Sequence, residues 1–200
     1  SVAFENSKKI LKSKNIVFNG NPIREAFFTI TKEEAKQKLN IPADKKVVFA
    51  MGGSQGAKTI NTAMLQNLKT LSEEQNAFVI LQTGKKNFDE VTKKILEEFE
   101  QLPYNLILQP YFDKMYLALL SSDVVISRAG SLSLSEICAC GLPSILIPYP
   151  YAAQDHQKKN AMNLAQNGVS IMLEDKDCNN ESLFNLVNDL MNNKEKEEEK

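Results

Sequence analysis

Two short stretches of this chain place glycine and small polar residues between an apolar run and a helical pattern. Residues 52–57 (GGSQGA) follow the apolar run 47–51, and residues 128–131 (RAGS) follow the apolar run 124–127. Glycine lets a backbone approach a bound anion closely, and the free N–H groups at a helix start favour negative charge. The glycine spacing matches neither the Walker A loop nor GxGxxG, which makes ATP and NAD poor candidates. Both stretches therefore predict an anion site. A glycine-rich turn without a ligand is the alternative for the first.

Hydroxyl groups and a carboxylate follow the second stretch. The residues after Gly130 alternate serines with leucines and end in an acid: Ser131, Leu132, Ser133, Leu134, Ser135 and Glu136. A carboxylate in this helix could accept hydrogen bonds from ribose hydroxyls, as acidic residues do in other nucleotide folds. Helix capping by Ser131 and solvation of Glu136 are the purely structural alternatives. Arg128 could pair with a phosphate or with a neighbouring carboxylate. The pattern predicts a site for the phosphates and ribose of a nucleotide.

A third polar loop, residues 149–157, follows the apolar run 144–148. Prolines at 148 and 150 end that run, and Asp155 or His156 is placed to cap the next helix. Gln157 then falls in the first turn of this helix. We expect it to lie beside the same crevice as the other two loops, at the edge where the predicted strands end. His156 is the only histidine of the chain and has no evident Ser or Cys partner. A structural role is therefore more typical of it than that of a general base.

Apolar β-rich runs alternate with helical patterns along the chain. The predicted strands are 15–18, 46–51, 77–82, 105–109, 123–127, 144–148 and 168–173. The predicted helices are 31–39 with a capping box at its start, 57–68, 88–99, 115–120, 132–140, 157–166 and 181–191. Several strands are continuously apolar, which indicates burial on both faces, as in a parallel sheet covered by helices. The chain is therefore predicted to form a doubly wound, mostly parallel α/β domain of Rossmann-like type, which binds ligands where its strands end.

Composition limits the classes of protein that fit. A chain of 200 residues suffices for one sizeable domain, and a net charge of −1 gives no bulk attraction to nucleic acid. No apolar run approaches the roughly 18 residues of a membrane-spanning helix, and no signal peptide is evident. Three cysteines without a CxxC pair predict free thiols and no structural zinc. We expect no acidic pair of the Asp-x-Asp type that could chelate a diphosphate-bound cation, and hence no metal requirement; no cofactor is expected either.

Three segments in sequence order closely resemble the carboxyl-terminal half of the MurG family. They are FNGNPIREAF (18–27), FAMGGSQGAK (49–58) and ISRAGSLSLSEICACGLPSILIPYPYAAQDHQKKNA (126–161), and the resemblance runs from Asn19 to Leu190. Members of this family are bacterial N-acetylglucosaminyltransferases that convert lipid I to lipid II in peptidoglycan synthesis. The resemblance implies one half of a GT-B glycosyltransferase fold, with UDP-N-acetylglucosamine (UDP-GlcNAc) as its ligand. Residues 19–192 would form this domain, 1–18 the end of an amino-terminal domain or a linker, and 193–200 a charged tail or frayed helix end.

The resemblance also implies roles for individual residues. Arg24 and Ser54 would contact the donor near its diphosphate, the backbone of Phe112 the uracil, Glu136 the ribose, and Gln157 the GlcNAc hydroxyls. The other positions implied to bind or to lie close are Ser131, Leu132, Ser133, Leu134, Ser135, Gly53, Gln55, Gly56, Arg128, His156 and Asn160. The family's amino-terminal glycine loop with its histidine has no counterpart here. Catalytic residues, the acceptor site and the membrane-facing patch are therefore expected outside this chain.

The same resemblance implies that the full-length protein uses lipid I as acceptor at the cytoplasmic face of the bacterial plasma membrane. Three other functions stay open at this point. The chain could be a stand-alone donor-binding subunit of a two-chain glycosyltransferase, or a nucleotide-free α/β scaffold. It could also be an enzyme like UDP-GlcNAc epimerase, which needs carboxylates for acid/base chemistry in the crevice.

Overall fold

A single parallel sheet organises the chain. The computed structural model describes residues 15–17, 19–74 and 76–198. Its strands are β1 Val47–Met51, β2 Phe78–Gln82, β3 Leu106–Gln109, β4 Val124–Ser127, β5 Ser144–Leu146 and β6 Ile171–Met172. They lie in the order β3-β2-β1-β4-β5-β6, and every neighbouring pair is parallel. The predicted doubly wound sheet is confirmed. The strand order reverses between β1 and β4, which is where open α/β sheets bind their ligands.

Helices connect the strands close to where the sequence predicts them. They are α1 Ala26–Thr29, α2 Lys32–Lys38, α3 Lys58–Lys69, α4 Phe88–Phe99, α5 Met115–Leu120, α6 Ser131–Ala139, α7 His156–Gln166 and α8 Asn180–Glu198. The predicted capping box is confirmed: the Glu34 N–H donates to the Thr31 hydroxyl, and the Thr31 N–H donates to the Glu34 carboxylate. Helix α8 continues beyond its predicted end at Met191 to Glu198.

Both faces of the sheet are covered by helices. All five residues of β1 are buried, and they alternate between two clusters. Val48 and Ala50 pack with residues of α3, α4 and α8, whereas Phe49 and Met51 pack with residues of α1, α5, α6 and α7. This arrangement is the burial on both faces that the continuously apolar strands predict.

The strand predicted at residues 15–18 is wrong where the structure describes it. Residues 15–17 belong to no strand, and residue 18 lies outside the described residues. The run is apolar and prone to extended structure, but a strand also needs a neighbour to satisfy its backbone groups. The described sheet ends at β3 and β6, and neither edge pairs with this run.

Candidate functional site

Loops from several strands meet at the carboxyl edge of the sheet. The register pairs Met51 with Ser127, so the glycine loop (residues 52–57) after β1 lies beside the β4 loop (residues 128–130). The Asn160 side-chain amide donates to the Ala129 carbonyl at 3.2 Å, which ties α7 to the β4 loop. The prediction that the three polar loops converge at one edge is therefore confirmed.

A segment before α1, residues 19–24, crosses this edge and contacts the start of α6. The Asn21 side-chain nitrogen lies 2.9 Å from the Ser131 carbonyl, 2.8 Å from the Ser131 hydroxyl and 2.9 Å from the Ser135 hydroxyl. No motif or spacing in the sequence assigns a role to Asn21. Its partners are more than a hundred residues away, and local spacing contains no signal for them.

The same segment carries Arg24 to the site. The Arg24 guanidinium donates to the Asp113 carbonyl at 3.0 Å, in the loop after β3, and is otherwise exposed. It also lies close enough to Glu136 to lower the pKa of that carboxyl. The structure therefore brings together the cation and the carboxylate that the sequence analysis predicts for diphosphate and ribose.

Glu136 is a buried carboxylate at the centre of this group. The residue is 9% exposed, and no described residue donates a hydrogen bond to its carboxylate. Burial raises the pKa of Glu136 above its ordinary value, and Arg24 partly offsets the increase. The side chain as a whole is buried, but its carboxylate oxygens still reach solvent at the site, so a solvated Glu136 stays an alternative to the ribose role. A buried carboxylate without donors is costly, so a ligand that offers hydroxyl groups here would be favoured.

The helices on either side of the switch point begin without a side-chain cap. Gly130 is the N-cap of α6 and Ser131 is its first helical residue, so the expectation that Ser131 caps the helix is wrong. Ala57 likewise leaves α3 without a side-chain cap. Neither N-cap residue has a side-chain acceptor for the first helical N–H groups. Such helix starts favour an anion at the switch point.

Positions within the glycine loop differ in their surroundings. A Cβ added at Gly56, where φ is +77°, would lie 2.0 Å from the Thr83 carbonyl oxygen, so Gly56 is needed for packing. Gly53 also has a positive φ of +76°, but nothing lies within 4 Å of its Cβ position. Ser54 and Gln55 are exposed. Residues 53–55 are thus the part of the loop that is open to a ligand.

A buried glutamine that the sequence analysis misses connects two parts of the site. Gln82 is 1% exposed at the end of β2. Its amide nitrogen donates to the Gly53 carbonyl at 3.2 Å, and its amide oxygen accepts from the Phe112 N–H at 2.9 Å. The Phe112 ring is buried against Phe49 and its N–H is bonded to Gln82, so the backbone carbonyl of Phe112 is the group that remains for a ligand. The signal available was a polar residue at the end of an otherwise apolar strand.

Arg128 is committed to structural partners. Its guanidinium donates to the carbonyls of residues 147 and 148 at 3.1 and 3.2 Å and forms an ion pair with Asp175. Asp175 also accepts from the Thr59 hydroxyl at 3.2 Å, and the guanidinium lies 5.6 Å from the centre of the Tyr149 ring. Of the two alternatives for Arg128, the structure shows pairing with a carboxylate.

The loop after β5 leads into α7 through strained backbone. Gln154 and Asp155 both have φ of +53°, a left-handed conformation that costs a non-glycine residue about 1–3 kcal/mol. Asp155 is the N-cap of α7 but makes no side-chain cap, and the exposed His156 ring contacts the Ala153 carbonyl through Nδ1.

Gln157 lies in the first turn of α7 as predicted. Its amide oxygen accepts from the Tyr149 N–H at 3.0 Å, which leaves its amide nitrogen available to a ligand.

Among the α6 residues named from the resemblance, the leucines point in different directions. Leu132 is 52% exposed, whereas Leu134 is buried in the core and its N–H donates to the Gly130 carbonyl at 3.0 Å. Leu134 is therefore not placed to contact a ligand, because its side chain packs on the sheet side of the helix. Ser133 is half-buried near the helix start.

Potential metal ligands do not form a cluster of three in the described part of the chain. No group of three His, Cys, Asp or Glu side chains there could hold a metal ion. Asp175 and Asp177 do have the Asp-x-Asp spacing, so the expectation that no such pair occurs is wrong, but Asp175 is paired with Arg128. None of the described helices combines the length and the apolar character needed to cross a bilayer.

Two surface hollows lie away from this site. One of about 610 Å³ is bordered by residues before β5 and β6, and one of about 630 Å³ by residues before β2 and β3. Both therefore open at the amino edge of the sheet, and neither contains a residue predicted for the site. The chemistry-bearing groups are concentrated at the carboxyl edge instead.

Comparison with known proteins places the chain in a family. Residues 47–200 match the model of the glycosyltransferase family 28 C-terminal domain. The chain belongs to this family. This family 28 domain has the Rossmann-like fold of one half of a GT-B glycosyltransferase, as the resemblance implies. Its structure is similar to that of MurG from Acinetobacter baumannii, with a TM-score of 0.66 and 25% identity, over 96% of this chain and 55% of that one.

Curated relatives have the name "UDP-N-acetylglucosamine--N-acetylmuramyl-(pentapeptide) pyrophosphoryl-undecaprenol N-acetylglucosamine transferase". The protein of that name from Desulforamulus reducens is 35% identical over 98% of this chain and 54% of its own length. The one from Caldanaerobacter subterraneus is 38% identical over 96% of this chain and 52% of its own length. The family 28 domain thus spans about half the length of these relatives, and its resemblance to the MurG family is confirmed.

Proposed function

We propose that this family 28 domain binds UDP-GlcNAc and supplies the donor half of an inverting N-acetylglucosaminyltransferase. The observation that carries the proposal is Glu136, a largely buried side chain whose carboxylate accepts no hydrogen bond from the described residues, beside Arg24 and the uncapped start of α6. The ribose hydroxyls donate to the Glu136 carboxylate. The diphosphate accepts from the first N–H groups of α6 and from Arg24.

Other groups at the carboxyl edge complete the donor site in this proposal. The backbone of Phe112 contacts the uracil, and the free amide nitrogen of Gln157 donates to a GlcNAc hydroxyl. Ser54 and Gln55, exposed on the open part of the glycine loop, lie near the diphosphate. Arg128 acts indirectly, because it holds the β4 loop against the loop after β5. The donor domain extends over residues 19–192.

The reaction proposed for the whole protein is transfer of GlcNAc to the C4 hydroxyl of the lipid-linked N-acetylmuramyl-pentapeptide. The bond between the anomeric carbon and the diphosphate breaks, a bond to the acceptor oxygen forms with inversion, and the acceptor proton passes to a base outside this chain. The domain described here stabilises the charge that develops on the leaving UDP, through helix N–H groups and Arg24. Donor and acceptor are the compounds in the relatives' names.

The proposed location follows from the proposed acceptor. Because the relatives' names specify an undecaprenyl-linked acceptor, we place the whole protein at the cytoplasmic face of the plasma membrane. An epimerase-type reaction is a poorer fit. Of the described carboxylates Glu136 alone is buried, so the paired acid/base carboxylates of such an enzyme have no evident counterpart in this site.

Thermal denaturation of this chain with UDP, UDP-GlcNAc, UDP-glucose and ADP tests the donor proposal. A ligand at 100 times its Kd stabilises the folded state by about 2.7 kcal/mol, which is readily measured. The uridine compounds should raise the midpoint and ADP should not. An equal response to ADP, or none to any uridine compound, would refute donor binding. For the whole protein, release of UDP dependent on the lipid-linked acceptor tests the transfer reaction separately.

A further inference from the structure

The side-chain amide nitrogen of Asn21 faces three acceptors at the start of α6. Its nitrogen lies within 2.9 Å of the Ser131 carbonyl and of the hydroxyls of Ser131 and Ser135. The neighbouring residues preset this geometry. Gly20 turns the chain with φ of +71°, and Pro22 restricts Asn21 to extended conformations. Asn21 is thus directed at the start of α6 before any ligand binds.

These contacts determine which way the serine hydroxyls can donate. An amide nitrogen only donates, and its two hydrogens can serve two of these three acceptors, so neither hydroxyl can donate its own hydrogen to Asn21. The hydrogen of Ser135 is already used, because this hydroxyl donates to the Ser131 carbonyl at 3.1 Å. No described acceptor takes the hydrogen of Ser131. Of the two hydroxyls, Ser131 therefore keeps a hydrogen to donate, and it lies in the first turn of α6.

We propose that Asn21 is a positioning residue that makes the Ser131 hydroxyl a hydrogen-bond donor to an anionic oxygen of the bound diphosphate. The inference rests on the proposed function, since it concerns the diphosphate of the same ligand. It adds a residue outside the set implied by the resemblance, and it specifies the mechanism: Asn21 contacts Ser131, and Ser131 contacts the ligand.

Replacing the amide by its acidic isostere reverses the hydrogen bond. In the Asn21→Asp variant the new carboxylate can only accept, so it takes the hydrogen of Ser131 and removes it from the ligand. We expect the Kd for UDP to rise about tenfold or more, as for loss of a hydrogen bond to a charged group. The Kd for uridine, which lacks phosphates, should stay within about twofold. Asn19→Ala, an exposed change in the same segment, should leave both unchanged.

A double-mutant cycle separates this mechanism from a general structural effect. If Asn21 acts through Ser131, Asn21→Ala should weaken UDP binding in the wild-type chain but change it by less than about twofold in the Ser131→Ala background. Equal losses in both backgrounds, or equal losses for uridine and UDP, would overturn the proposal. If the Asn21 variants do not fold, Ser131→Ala alone decides: it must weaken UDP selectively over uridine, and any other result overturns the proposal.

The outcome also separates the two proposals. A wild-type chain that binds no UDP refutes the donor function and this inference with it. A wild-type chain that binds UDP, together with a folded Asn21→Asp variant that binds it equally well, refutes the role of Asn21 alone. Isothermal titration supplies the Kd values, and denaturation midpoints without ligand establish that each variant is folded.

Discussion

Replacing Glu136 by glutamine should weaken UDP binding strongly while it stabilises the free protein. The carboxylate accepts from two ribose hydroxyls in the proposed complex, and each hydrogen bond to a charged group contributes about 1.5–3 kcal/mol. Glutamine keeps a neutral acceptor for one of them, worth about 1 kcal/mol. The difference is about 2–5 kcal/mol, so Kd should increase about 30-fold or more.

The stability of the free protein should change in the opposite direction. Burial raises the pKa of Glu136 above its ordinary value in the folded chain. The folded state then favours the neutral carboxyl, so this group supports folding fully at pH values below its unfolded pKa. That support is lost as the pH rises through the folded pKa. Glutamine, which is neutral throughout, should therefore raise the denaturation midpoint at neutral pH. UDP binding to the wild type should weaken as the pH falls through the folded pKa of Glu136.

Denaturation midpoints with and without UDP test both directions in one experiment. Without ligand, Glu136→Gln should unfold at a higher temperature than the wild type. At a UDP concentration that saturates the wild type, the wild type should unfold at the higher temperature. Glu98→Gln, which removes a charge from an exposed position on α4, is the matched control and should change neither. With 2′-deoxy-UDP the penalty of Glu136→Gln should shrink, because one donor is missing. A Kd for UDP within about threefold of the wild type would refute the ribose assignment.

The arginines and the glycine loop give further predictions. Arg24→Ala should raise the Kd for UDP about tenfold and leave the urea midpoint nearly unchanged, because Arg24 is exposed. Arg128→Ala should instead cost about 3 kcal/mol of stability, since it leaves Asp175 without its partner; a variant that loses UDP affinity at full stability would contradict this division. Gly56→Ala should destabilise the fold far more than Gly53→Ala in the same urea titrations, because the added methyl collides with backbone only at Gly56. Equal losses at both would show that the positive φ, and not the contact, is what requires glycine.

The fold was predictable because its signals are local. Continuously apolar strands, the capping box at Thr31 and glycine-containing turns each depend on neighbours in sequence, and the β-α alternation then allows few topologies. The convergence of the three polar loops follows from parallel strands, whose carboxyl ends share one edge. The strand predicted at residues 15–18 fails for the converse reason, since it needed a pairing partner that no local pattern specifies.

The less predictable parts of the site depend on contacts between distant residues. Asn21 bonds to α6 across more than a hundred residues, Gln82 joins two loops, and Arg128 pairs with Asp175 rather than with a ligand. The types of these residues fit several partners equally well, and only the folded geometry chooses among them. The environment of Glu136 was only partly predictable. Its apolar neighbours in sequence suggested that it is buried, but the lack of a donor among the described residues is visible only in the folded structure.

The close seating of Gly56 on the end of β2 makes the glycine loop a fixed wall of the crevice. The Thr83 carbonyl oxygen lies so close to Gly56 that no space remains for even a methyl group. Because of this tight packing, the loop has little freedom to move as a lid. Any adjustment around the proposed nucleotide-sugar ligand would therefore have to come from the other loops at this edge. The same contact limits which residues of the loop can be substituted. Ser54 and Gln55 face open space, so they can be changed to suit a different anion without disturbing the sheet.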